Sequence, residues 1–126
     1  MFAQEYVDAT AQILGYPVCV TDRDQIIAVS GMAKKELLGK PLHKELEEAI
    51  NDREVIMAKK GDKKYIRITG DREDIYEAEI IQTIISEGDA IGAVLVLSKD
   101  EKKKLSEIER KAAGIAASFL GKQMEG

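Results

Sequence analysis

The chain reads as an α+β domain in which an antiparallel sheet is flanked by an N-terminal and a C-terminal helix. Three observations predict this. Apolar residues recur at helical spacing at both ends, and short β-rich runs separated by polar turns fill the interior. The 126 residues, 44% hydrophobic and 33% charged, suit one compact core, so residues 1–126 are expected to form a single domain.

In order, Phe2, Tyr6, Ala9, Thr10 and Ile13 step along one face of a helix over residues 2–14, which Gly15 and Pro17 stop. Residues 17–22 and 25–30 are β-rich, and the polar turn at Asp22, Arg23 and Asp24 makes them a hairpin. Ser30 or Gly31 caps a short helix reaching Leu38, Gly39-Lys40-Pro41 breaks it, and a second helix runs from Leu42 to Asn51. Strands are expected over 54–58 and 63–69, turning at Lys59-Lys60-Gly61-Asp62, with a polar loop after them at 70–74. Residues 76–86 and 90–98 form the strongest β pair, and the continuous apolar run 91–97 suits a central strand covered on both sides. A helix over 102–124 closes an order α-ββ-αα-ββββ-α, with the helices expected on one face of the sheet.

Composition excludes several classes. With 5% aromatic residues and no Trp, a stacking platform for bases is poorly supplied, and a net charge of −4 argues against a free-standing nucleic-acid binder. A single Cys and a single His leave neither a disulfide nor the parts of a zinc site, so no metal is expected. No run approaches a membrane span and no signal-peptide pattern opens the chain, so a cytoplasmic protein without membrane contact is expected.

Candidates for chemistry are few. Cys19 lies in an inward-alternating strand, where a thiol acts as a small apolar filler. His43, at a helix start, reads as a solvated or capping residue. No Ser-His-Asp set or Gly-x-Ser-x-Gly elbow occurs, so no catalytic residue is assigned and the chain is not expected to be an enzyme. Ser30-Gly31-Met32-Ala33-Lys34-Lys35 offers a weak anion site at a helix start, and Asp71, Glu73 and Asp74 lack the spacing of a calcium loop. The clearest pattern is apolar. Leu105, Ile108, Ala112, Ile115 and Phe119 step by three and four along the last helix, matched by Phe2, Tyr6 and Ile13 on the first. Two readings stay open: both stripes cover the sheet, or they form a helical bundle shared between two subunits.

Several stretches together carry a resemblance: residues 15–31 (GYPVCVTDRDQIIAVSG), the KKELLGK helix at 34–40, GDAIGAVLVLSKD at 88–100, and the tail from Ala112 ending FLGKQME. They resemble the C-terminal GAF domain of the stage V sporulation protein T family, transcription regulators of spore-forming bacteria in the AbrB superfamily. The resemblance covers almost the whole chain. It implies a GAF-like, PAS-related fold that associates as a homodimer through its end helices and tunes sporulation gene expression. It also implies that DNA is held only by a basic, strand-rich N-terminal domain that precedes the first helix in the full-length protein. GAF domains as a class often enclose a small molecule; by that analogy an unidentified effector is expected near Ser30, Gly31, Met32, Leu37, Ile66 and Ile68. No cofactor is assigned. The alternatives are a small GAF-like redox enzyme using Cys19 and a PAS-type signalling domain with a bound cofactor.

Overall fold

The computed structural model describes residues 3–70 and 76–124. Phe2 and the acidic loop of Asp71, Glu73 and Asp74 lie outside the described residues, as does the side chain of Met32.

Helix α1 (Ala3–Leu14) leads into strands β1 (Val18–Thr21) and β2 (Ile26–Val29). The turn between the strands is closed by Asp22, whose Oδ1 accepts the N–H groups of Asp24 and Gln25, both at 2.8 Å. A single 3-10 turn (Gly31–Ala33) runs into the short helix α2 (Lys34–Leu37), followed by α3 (Lys44–Asn51) and β3 (Val55–Lys59). Strands β4 (Ala78–Ser86) and β5 (Asp89–Ser98) form the long central hairpin, and α4 (Glu107–Gln123) ends the fold. The five strands are antiparallel throughout, in the order β2-β1-β5-β4-β3.

The sheet separates two apolar layers. Because side chains alternate along a strand, β5 sends Leu95 and Leu97 to one side and Val94 and Val96 to the other, all fully buried. Leu37, Leu46, Ile50 and Ile68 cover the first side, Val7, Ala113, Ala116 and Leu120 the second. The central-strand expectation for residues 91–97 therefore holds. The expectation of helices on one face does not: α2 and α3 lie on one face and α1 and α4 on the other. A strand buried on both sides needs an apolar cover on each, and the chain supplies both.

Three further boundaries differ, each for a local reason. The stretch 63–69 is not a strand, although its residues alternate. The N–H of Ile66 donates to Glu79 Oε2 at 2.9 Å and that of Arg67 to Glu45 Oε1 at 3.1 Å, so side-chain carboxylates replace a strand partner. Helix α3 begins at Lys44, where His43 Nδ1 accepts the N–H of Glu45 at 3.1 Å and caps the helix. Helix α4 begins at Glu107 because Ser106 and Glu109 form a reciprocal capping box, with the Ser106 N–H donating to Glu109 Oε1 at 2.7 Å.

Two glycines set the close approaches. A Cβ on Gly92 would overlap the carbonyl oxygen of Thr21, and one on Gly121 would overlap that of Ile85. The first lets β5 pass close to the end of β1, beside the Thr21–Ala93 pair; the second seats the end of α4 on β4.

Candidate functional site

Helix α1 ends, and α4 begins, at the same edge of the sheet, because Val18 of β1 pairs with Val96 near the end of β5. The two helices therefore run antiparallel over one face. Helix α4 carries two apolar stripes. Ala113, Ala116, Ala117, Leu120 and Gly121 are buried on the sheet, and their small size lets the helix lie close. Ile108, Ile115 and Phe119 lie on another side of the helix and are 71%, 65% and 41% exposed, with Ala112 half-buried between them. On α1, Ala3 and Val7 face the sheet while Ile13 is 85% exposed. Tyr6 joins the two helices: its ring stacks on Phe119 with centroids 5.1 Å apart and planes 18° from parallel. Of the residues the sequence singled out for an interface, Leu105 is half-buried against the core, whereas Ile13, Ile108, Ile115 and Phe119 point outward.

The opposite face is closed by polar links over an apolar layer. Ser30 Oγ is buried and accepts the N–H of Val18 at 2.9 Å, which fastens the end of β2 to the start of β1. Gly31 is exposed with φ +51°, a left-handed conformation that favours glycine. Leu37 and Ile68 are buried in one cluster and Ile66 is half-buried against it, so three of the six proposed effector residues meet beneath α2 and the 60–69 segment. Around them, Tyr65 donates its hydroxyl to the carbonyl of Tyr76 at 2.8 Å, and Tyr76 donates its own to Glu36 Oε2 at 3.3 Å. Lys99 pairs with Glu36 Oε1 at 3.1 Å and sits 5.7 Å from the centre of the Tyr76 ring.

Sequence reasoning missed Glu79. Its carboxylate is fully buried on this face and holds the Ile66 N–H. The signal was its parity: Glu79 and Ile81 share a side of β4, so a charged residue stood at an inward position. Burial pushes the thiol of Cys19 up to about 12, which removes the thiolate that redox chemistry requires. Among the described residues no group of three or more His, Cys, Asp or Glu could hold a metal, and no described helix is long and apolar enough to cross a membrane.

Comparison with known proteins follows the same lines. The GAF domain of a phosphoenolpyruvate-protein phosphotransferase from Acinetobacter superposes with a TM-score of 0.74 at 14% identity, covering 94% of this chain and 77% of that one. The cofactor-binding GAF domain of the nutrient sensor CodY from Clostridium difficile superposes with a TM-score of 0.66 at 10% identity, covering 96% and 83%. At such identities the likeness shows the GAF fold alone. In sequence, the chain is 38% identical over 124 residues to stage V sporulation protein T of Bacillus subtilis strain 168, covering 98% of this chain and 67% of the relative. Residues 1–125 match the family described as Stage V sporulation protein T C-terminal, transcription factor. The chain therefore belongs to the stage V sporulation protein T C-terminal family of transcription factors, and its two-layered sheet is a GAF fold.

Proposed function

We propose that this domain is the regulatory and self-associating part of a cytoplasmic sporulation transcription regulator, without a catalytic step of its own. In this reading two copies pair through the outward stripe of α1 and α4, and DNA is held by a segment N-terminal to α1 in the full-length protein. The pairing sets how two such segments are spaced, so anything that shifts it shifts DNA binding. An effector, where one acts, would bind against Ser30, Gly31, Met32, Leu37, Ile66 and Ile68. The absence of catalysis is supported by Cys19, whose buried thiol stays protonated, and by His43, whose ring nitrogen is used in a helix cap.

The observation that carries the reading is the second stripe on α4. A helix that only covers a sheet needs one apolar face, and Ala113, Ala116, Ala117 and Leu120 already provide it. Ile108, Ile115 and Phe119 gain nothing from that packing and present an apolar strip that Tyr6 joins by stacking on Phe119, while Ile13 is exposed on the neighbouring α1. Light scattering of the purified domain tests this. The native chain is expected at twice its 13.9 kDa mass and Ile115→Glu at that mass, with unchanged circular dichroism. A native chain that stays monomeric at high concentration, or an Ile115→Glu variant that loses its fold, would overturn it.

A further inference from the structure

A cleft of about 180 Å³ opens on the face covered by α1 and α4, at the end of the sheet where α1 begins and α4 ends. Ala3, Val20, Ile27, Ile84, Ile91 and Leu120 make its walls, one or more from α1, β1, β2, β4, β5 and α4. These aliphatic walls enclose a space slightly larger than the apolar cavities of about 150 Å³ that accept benzene. Their chemistry selects a compact branched aliphatic group.

The polar end of the cleft is as informative as its walls. Thr21 and Asp22 both line it. Thr21 is buried and in register with Ile26 and Ala93 of the opposite layer, and its Oγ1 accepts the N–H of Ala93 at 3.1 Å, so the acceptor for a ligand falls to Asp22. Asp22 uses Oδ1 for the two N–H groups of the hairpin turn, while its Oδ2 has no partner among the described residues. The β4–β5 turn at that end adds Glu87 and Asp89, the last turn of α4 adds Lys122, and Gln123 also lines the cleft, whereas Asp24 and Arg23 face the α3 side. Acceptor atoms and negative charge at one end of an aliphatic cleft fit a donor that is itself cationic.

We propose that this cleft binds a small branched aliphatic primary amine, its chain between Ile84, Ile91 and Leu120 and its ammonium on Asp22 Oδ2. The site lies across the sheet from Leu37, Ile66 and Ile68 and is independent of them. A bound amine ties the start of α1 and the end of α4 to the β1–β2 hairpin, so it acts on the same helices that carry the outward stripe. The pairing of subunits is read by mass and the cleft by local shifts, so either can fail without the other.

Isopentylamine is the probe, followed by NMR of protein labelled at its isoleucine methyl groups. Saturable shifts are expected at Ile27, Ile84 and Ile91, with Ile50 and Ile81 across the sheet unmoved. Asp22→Asn keeps the oxygen that closes the turn and removes the charge, so isopentylamine should bind at least about tenfold more weakly while isopentanol is unaffected. Ile91→Phe and, from the helix side, Ala3→Leu fill the cleft and should abolish binding in whichever variant keeps the Ile50 and Ile81 signals of the folded domain. No saturation up to about 10 mM, well past a millimolar affinity, would overturn the proposal. So would shifts centred on Ile50, Ile68 or Ile81, binding that survives a folded cleft-filling variant, or an Asp22→Asn effect that is absent or equal for the two probes.

Discussion

The two faces of the sheet are built from different side chains and end in different conditions. The face under α2 and α3 is filled by large aliphatics, Leu37, Leu46, Ile50 and Ile81, and sealed by polar links through Glu79, Tyr65 and Tyr76. The face under α1 and α4 is met by small residues, Ala3, Ala113, Ala116 and Ala117, and the helices above it turn a second apolar strip to solvent. Large side chains complete a core within one chain. Small ones bring a helix close and leave its larger residues, Ile108, Ile115 and Phe119, exposed. The difference separates what holds the domain together from what stands outside its core.

The strongest contrast is chemical access to the closed face. Cys19 is fully buried and its thiol is pushed up to about 12 from 9.0, three powers of ten in thiolate. Alkylation by iodoacetamide at pH 8 is expected to be at least about a thousandfold slower in the folded domain than in urea. A folded protein that is modified as fast as the unfolded one would end both this account of the face and the exclusion of redox chemistry. Next in size is the stability that each face supplies. Leu46→Ala removes a fully buried side chain from the closed face and should cost about 2 to 5 kcal/mol in urea unfolding, whereas Ile108→Ala should stay within about 0.5 kcal/mol when measured at concentrations where the protein is monomeric. Equal costs would mean that the outward stripe of α4 is as much part of the fold as the closed face.

Much of this division was legible before the structure. The repeat of Ile108, Ala112, Ile115 and Phe119 at steps of three and four marked a continuous strip, and the intervening alanines and Gly114 showed that the helix surface is small. What the repeat could not tell was which strip meets the sheet, because both are apolar at helical spacing; the hairpin of β4 and β5 decides it by accepting Gly121 where no Cβ fits. The 63–69 stretch misled for a related reason. Its alternation is that of a strand, but a strand needs a partner ladder, and in its place the carboxylates of Glu79 and Glu45 take the backbone N–H groups of Ile66 and Arg67. Those carboxylates come from β4 and α3, over ten residues away in the chain, and local pattern carries no information about them. The proposed effector residues divide likewise. Leu37, Ile66 and Ile68 converge because each is apolar on an inward face, while Ser30 is spent on the β1–β2 latch that no spacing rule foretells.

Smaller effects sharpen the outward strip. Ile13 has little packing within its own chain, so Ile13→Ser should leave monomer unfolding unchanged and weaken self-association by at least about tenfold, or about 1.4 kcal/mol, in sedimentation equilibrium. A change in unfolding with no change in association would place Ile13 in the fold rather than on a partner.

The least effect belongs to the charged start of α4. Arg110 donates to both oxygens of Glu107, at 2.8 to 3.0 Å, and this hydrogen bonding holds the exposed Glu107 carboxyl below its ordinary range. A carboxyl lowered in the folded state contributes stability above its unfolded value, and loses that contribution as pH falls through the folded one. Both groups are solvated, so the contribution is slight and screened by salt. In Arg110→Gln the Glu107 titration, followed by NMR, should move upward, and the small stability difference from the native chain should be present at neutral pH and vanish once Glu107 is protonated. An unmoved midpoint would mean that the pair is not formed in solution. A midpoint that moves only in dilute protein, and is fixed at concentrations where the chain associates, would place the start of α4 inside the contact between subunits and extend the strip by a turn beyond Ile108.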